Sequence, residues 1–266
     1  MSTSKWTAAR IKSQKGQAKI VCLTAYDYST ARLMDEAGIH VILVGDSLGM
    51  TVLGYKTTLP VTMAEMIHHV GAVARGVSAA MIVADMPFMS YQVSVEQAIS
   101  NAGRFIKSAG ADGVKIEGGS IRAPLIRTLV ENGIPVMGHI GLTPQSIRAV
   151  GGYKVQGRKP GEAQRLIDDA GALAAAGVFS IVLECLPREL GGEITRSVDV
   201  PTIGIGAGPD CDGQVLVSHD LLGVSTEVAP KFVKRYAQVG SAMKEAFDAY
   251  RKDVESGAFP ASEHCY

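Results

Sequence analysis

AAMIVADMPFMSYQVSVEQAISNAGRFIKSAGADGVKIEGG, residues 79–119, holds the fold in miniature. Two short runs, AAMIVADMP (79–87) and GVKIEGG (113–119), are apolar at successive positions, as a strand covered on both faces requires. Between them SVEQAISNAGRFIKSAG repeats its apolar residues at three- and four-residue spacing and ends on glycine, the pattern of an amphipathic helix with its C-cap. Strand, helix and strand in this order make a right-handed parallel crossover. The unit recurs in both directions. Further runs are KIVCLTAYD (19–27), HVILVGDS (40–47), PVMGHIG (135–141), FSIVLECL (179–186) and VPTIGIGAG (200–208). STARLMDEAG, VTMAEMIHHVGAVARG, IRAPLIRTLVENG, PGEAQRLIDDAGALAAAG and the weaker REL…TRS read as the intervening helices, and DGQVLVSHDLLG as one more after the last clear run. An eighth strand is expected near PKFVKRY (230–236), ahead of a final helix VGSAMKEAFDAYRKDVES. Eight such units in roughly 250 residues predict an α/β fold, a closed (β/α)₈ TIM barrel, as one domain over 1–266 with a short polar N-terminal segment. The doubly wound alternative lacks its fingerprint: no GxGxxG follows the first strand and no GK[ST] occurs, while GIGAG (204–208) comes late.

The composition narrows the function. With 47% hydrophobic residues the 266-residue chain has ample core and is not disordered. Lys+Arg 26 against Asp+Glu 26 leaves no basic excess for nucleic acid. Cys22, Cys185, Cys211 and Cys265 lie far apart, with neither a CxxC nor zinc-ligand spacing. MSTSKWTAARIKSQKGQAK lacks an apolar signal core, and the apolar runs fall far short of the roughly 20 residues of a membrane span. A cytoplasmic protein with small-molecule partners, and neither nucleic acid nor membrane, is expected.

What ends each run carries the chemistry. HVILVGDS closes on Asp46-Ser47, AAMIVADM on Asp85, GVKIEGG on Lys115 and Glu117, PVMGHI on His139, SIVLEC on Glu184, and the first run on Tyr26-Asp27. A charge in a buried strand is costly unless paired or bound to a metal. In a barrel these C-terminal ends ring one mouth, so residues remote in sequence converge there. Asp46, Asp85 and Glu117 form a hard-oxygen set suited to Mg²⁺. Lys115 and Glu117, two apart on a strand, share a side; Lys115 either meets an anionic substrate or balances the acids. Glu184 reads as a general base raised by desolvation, or as a structural acid bonded to a loop. His139 reads as a neutral bridge, and His68-His69 as a surface pair. Two connections, 47–62 and 141–161, far exceed ordinary βα loops and are expected to be lids or substrate loops.

In the order LTAYDYSTARLMDEAG, VGDSLGM with TTLPVT, ADMPFMSY, VKIEGG, GHIGLTPQS, GGYKVQGR, LECLP, IGIGAG and HDLLG, the chain resembles the ketopantoate hydroxymethyltransferase family from about residue 10 onward. The resemblance implies a barrel of the phosphoenolpyruvate mutase/isocitrate lyase-like superfamily and a cytoplasmic enzyme of pantothenate biosynthesis. Its reaction passes a hydroxymethyl group from 5,10-methylenetetrahydrofolate to 3-methyl-2-oxobutanoate through a Mg-stabilised enolate. It further implies one Mg²⁺ per subunit at Asp46, Asp85 and, through water, Glu117. Asp46, Ser47, Asp85, Lys115 and His139 are then the substrate-contacting set, Glu184 the proton acceptor, and the assembly a homodecamer. GYKTT departs from the GHDTT or GHDST of many members, at Tyr55 and Lys56. Two other readings stay open: a Mg²⁺-dependent C–C lyase of the same superfamily, whose KKCG-type motif is missing, and a non-catalytic barrel, which would gain nothing from clustered acids.

Overall fold

The protein is described from a computed structural model, over residues 4–224 and 230–266. Eight parallel strands close on themselves in sequence order: β1 (Ile20–Thr24), β2 (Val41–Val44), β3 (Met81–Asp85), β4 (Gly113–Glu117), β5 (Val136–Gly141), β6 (Ser180–Glu184), β7 (Thr202–Ile205) and β8 (Gly213–Leu216). β1 pairs with β8 through Ile20↔Gly213 to Leu23↔Leu216, which seals the barrel. The helices are α1 (Ala8–Lys12), α2 (Tyr28–Glu36), α3 (Leu48–Thr51), α4 (Met63–Gly76), α5 (Val95–Arg104), α6 (Ala123–Glu131), α7 (Ile147–Val150), α8 (Pro160–Ala175) and α9 (Arg188–Ser197), followed by α10 (Ser218–Leu222) and α11 (Val239–Ser256). By contacts the chain forms two compact units, Met1–Val217 and Ser218–Tyr266. The first contains all eight strands of the barrel.

Strand periodicity divides the core of that unit into two layers. Val41, Leu43, Met81, Val83, Met137, Val182, Ile203 and Val215 pack together inside the barrel, with Ile11 of α1 among them. Their neighbours of opposite parity, including Ile42, Val44, Ile82, Val114, Ile116, Ile181 and Leu183, pack outward against Met66, Val70, Phe105, Ile126, Leu129 and Leu173 of the surrounding helical segments. Both faces are covered, which is why the strands read as continuous apolar runs. Fully burying each such side chain contributes about 1.5–3 kcal/mol. The polar N-terminal segment also orders: Thr7 caps α1 through the Arg10 N–H, and Ile11 is fully buried.

One element differs from expectation. The eighth strand is Gly213–Leu216, inside the stretch read as a helix, and only Ser218–Leu222 of that stretch is helical. Residues 230–236 hold a turn at 231–232 and no strand; Tyr236 there is largely exposed. β7 and β8 are joined by 206–212 with no intervening helix, so the crossover rhythm breaks at that step. Gly213 explains why a strand forms there. A Cβ at this position would lie 2.5 Å from Ile20 O and 2.7 Å from Ile203 Cδ1, so glycine lets β8 close against β1. In the second unit, α11 ends at Gly257 in the left-handed region, and Phe259 meets Tyr250 edge-on at 5.7 Å.

Candidate active site

Continuing the inward-facing rows past their apolar residues gives the site. Met81 and Val83 lead to Asp85, Gly113 to Lys115 and Glu117, Met137 to His139, and Val182 to Glu184, with Asp85↔Lys115, Glu117↔His139 and Gly141↔Glu184 in register. The inward parity that fills the barrel with apolar groups lower down thus delivers charged groups at its C-terminal end. Asp85, Lys115, Glu117 and His139 are each at most 5% exposed, and Glu184 is half-buried.

Asp46 and Ser47 come from the turn after β2. A Cβ on Gly45 would fall 2.7 Å from Ser47 Oγ and 3.4 Å from Asp85 Oδ2, so glycine allows this turn to lie against β3. The Asp46 N–H then donates to Asp85 Oδ2 at 3.0 Å. Tyr26 Oη and Ser47 Oγ are 2.8 Å apart, the phenol buried and pushed up to about 12, mainly by desolvation. Asp27, its neighbour, caps α2 by accepting from the Thr30 N–H and takes no part in the cluster. His68 is exposed, and His69 Nδ1 lies 2.6 Å from Tyr26 O.

A chain of polar contacts crosses the mouth. Lys115 Nζ pairs with Asp85 Oδ1 at 3.1 Å and donates to His139 Nδ1 at 2.9 Å. An ammonium only donates, so Nδ1 accepts and the ring proton sits on Nε2. That nitrogen lies 3.1 Å from Glu184 Oε2, close but without the alignment of a hydrogen bond. Burial and the Lys115 charge hold His139 well below the usual histidine range, so the ring is neutral. Burial disfavours the Lys115 charge, but Asp85, Glu117 and Asp46 outweigh it and keep the ammonium protonated. Desolvation raises Glu184 to about 7. Cys185, directly after it, has φ 52°, a left-handed backbone that costs a non-glycine residue.

The carboxyls exceed the cations. Burial, then the Asp85 charge, raises Asp46 to about 7, and burial pushes Glu117 well up. Asp85 Oδ1 is buried and takes no aligned hydrogen bond, having only the Lys115 ion pair. Acids that burial pushes towards their neutral form gain from a bound cation, and a set of hard carboxyl oxygens fits Mg²⁺. Among the described residues no three His, Cys, Asp or Glu side chains close into a ready-made metal cage. Mg²⁺ commonly uses one or two carboxylates and completes its shell with water and substrate oxygens.

Two residues of this site, Gln145 and Tyr91, lie within the motifs GHIGLTPQS and ADMPFMSY, but no periodicity or charge singles them out there. Gln145, 5% exposed, donates through Nε2 to Asp46 Oδ2 and to Met86 O, both at 2.9 Å, while its backbone N–H donates to Glu117 Oε2 at 3.0 Å. Tyr91 Oη donates to Gln145 Oε1 at 2.7 Å. The long connections each carry short helical turns: 47–62 holds α3, and 141–161 holds α7 behind a turn at Pro144–Ser146. They meet where Tyr153 Oη donates to Met50 Sδ at 3.4 Å. The Tyr153 phenol is raised by burial and then by Glu184, Asp46 and Glu117, which places it within electrostatic reach of the acids. Tyr55, the departure in the first connection, donates to Glu65 Oε1 at 2.6 Å, and Glu65 closes the capping box of α4 with Thr62.

Comparison with known proteins gives a consistent picture. A sequence profile described as ketopantoate hydroxymethyltransferase matches residues 5–262. The 3-methyl-2-oxobutanoate hydroxymethyltransferase of Clostridium novyi (strain NT) is 57% identical, over 96% of this chain and 93% of that protein. That of Carboxydothermus hydrogenoformans is 58% identical, over 98% and 95%. Among solved structures, phosphoenolpyruvate phosphomutase from Streptomyces platensis subsp. rosaceus superposes with TM-score 0.62 at 15% identity, over 94% of this chain and 88% of that one. A 2,3-dimethylmalate lyase of the PEP mutase/isocitrate lyase superfamily gives TM-score 0.60 at 15% identity, over 97% and 91%. These two establish the fold, as expected, and nothing finer.

Proposed function

The chain belongs to the ketopantoate hydroxymethyltransferase family, and from that premise we propose that it adds the one-carbon unit of 5,10-methylenetetrahydrofolate to C3 of 3-methyl-2-oxobutanoate as a hydroxymethyl group, water supplying the hydroxyl and tetrahydrofolate leaving, to form 2-dehydropantoate. The observation that carries this reading is Glu184: a carboxyl at the end of an inward strand row, raised to about 7 and 3.1 Å from a neutral histidine. A base near the working pH is ionised often enough to accept a proton and basic enough to take it. Its task is to remove the C3 proton of the 2-oxoacid. His139 presents its Nε2 proton beside that carboxylate, and Lys115 fixes the tautomer from the other side. Lys115 also offers a fixed ammonium to the negative charge that develops on the substrate oxygen. Ser47, steadied by Tyr26, contacts the 2-oxoacid together with Lys115, Asp46, Asp85 and His139. Asp46 and Asp85 would hold Mg²⁺ directly and Glu117 through water; so held, Mg²⁺ supplies Lewis acidity at the 2-oxoacid carbonyl and thereby acidifies C3–H.

The connections 47–62 and 141–161 wall the folate side, a role supported by their contact at Met50 and Tyr153. One Mg²⁺ per subunit, a homodecamer and a cytoplasmic location follow from the family resemblance. Among the described residues no helix is long and apolar enough to cross a membrane. The activity is tested by incubating the protein with 3-methyl-2-oxobutanoate, Mg²⁺ and 5,10-methylenetetrahydrofolate and measuring product mass. 2-Dehydropantoate is expected only when all three are present. A cleaved 2-oxoacid formed without folate would assign a C–C lyase instead.

A further inference from the structure

Each proposed metal-site acid has one oxygen engaged by an amide N–H. Asp85 Oδ2 takes the Asp46 N–H, Asp46 Oδ2 takes Gln145 Nε2, and Glu117 Oε2 takes the Gln145 backbone N–H. Two of these three donors belong to one residue. The Gln145 amide also has a single workable orientation. Asp46 Oδ2 and Met86 O can only accept, so Nε2 must face them, and Oε1 is left to accept the Tyr91 hydroxyl. From the connection after β5, Gln145 therefore braces the turn after β2, the segment after β3 and the end of β4.

This arrangement bears on which cation the acids suit. Ca²⁺ takes six to eight oxygens and accepts carboxylates in bidentate fashion, whereas Mg²⁺ demands a small, near-octahedral shell. An acid with one oxygen held by an N–H is fixed in orientation and is less free to turn both oxygens onto one cation. We propose that the Gln145 side chain sets the metal preference of this site: by holding Asp46 Oδ2 it turns that acid towards single-oxygen ligation and so favours Mg²⁺ over Ca²⁺. Gln145 is thus a positioning residue, and the inference rests on the Mg²⁺ reading above.

The test is calorimetric titration of the metal-stripped full chain with Mg²⁺ and, separately, with Ca²⁺, without substrate. Gln145→Met keeps the length of the side chain and removes the amide from Asp46. Tyr91→Phe leaves the amide in place and removes the hydroxyl that donates to Gln145 Oε1 and, at 3.3 Å, to Glu117 O; it serves if Gln145→Met fails to fold. Wild type is expected to prefer Mg²⁺, and Gln145→Met to lower the Mg²⁺-to-Ca²⁺ affinity ratio by about tenfold or more, the scale on which ligand-orienting partners act. Tyr91→Phe should shift the ratio the same way by less. A ratio unchanged in both variants, or both affinities falling by one common factor, overturns the inference and leaves the metal site standing. A wild type that binds both ions equally also overturns it. A wild type that binds neither ion removes the Mg²⁺ reading itself.

Discussion

Asp46 and Asp85 meet through a backbone N–H rather than oxygen to oxygen, which lets two acids share a buried corner. If they are the direct ligands, Asp46→Asn and Asp85→Asn should each abolish tight Mg²⁺ binding while the barrel stays folded, and Glu117→Gln should do less harm. Calorimetry decides this; unchanged affinity in both Asp variants removes the assignment. Glu184 sets a pH limit. As the proposed base, its carboxyl, raised by burial to about 7, must be ionised to accept a proton, so activity should be level above pH 7 and fall about tenfold per unit below it. A pH–rate profile level down to pH 5 would contradict that placement. Asp46, Asp85, Lys115, Glu117, His139 and Glu184 were legible in the sequence because charged or ionisable groups interrupt apolar runs where burial makes them expensive. Gln145 and Tyr91 were not. Neutral polar residues in a loop carry no periodicity, and their roles exist only once segments after β2 to β5 approach one another.

At the scale of elements, β1 to β7 announce themselves through runs of apolar residues, and β8 does not. Gly-Gln-Val-Leu has one deeply buried side chain, Val215, and runs almost directly into α10, so helical spacing wins any reading of the stretch. PKFVKRY has the composition of a strand but forms none. What locates β8 is the close approach of Gly213 to Ile20, a long-range fact. Gly213→Val should therefore destabilise the barrel by about 1–3 kcal/mol, the usual range for overpacking a tight site. A urea unfolding midpoint equal to wild type would show that the β1–β8 seam has slack. The departure at Tyr55 is explained at this scale too: its hydroxyl joins the Thr62–Glu65 capping box, so it anchors the first long connection to α4.

For the whole molecule, equal numbers of basic and acidic residues leave little net repulsion between copies. α11 carries Met243, Phe247, Tyr250 and Val254 exposed at three- and four-residue spacing. Both features accord with the proposed homodecamer, and sedimentation equilibrium at micromolar concentration should return a mass of ten subunits; a monomer would contradict it. In the proposed reaction, a barrel that gathers acids, one lysine and a neutral histidine at its mouth starts hydroxymethyl transfer by taking a proton from C3 of a 2-oxoacid through Glu184. That half-reaction needs no folate and can be watched alone, as deuterium entering C3 of 3-methyl-2-oxobutanoate in deuterated water with Mg²⁺. Wild type should exchange, and Glu184→Gln should lose about 10²–10⁴-fold of the rate while binding Mg²⁺ and the 2-oxoacid nearly as well. Exchange by Glu184→Gln at the wild-type rate would show that another group takes the proton, and His139 would be the first to test.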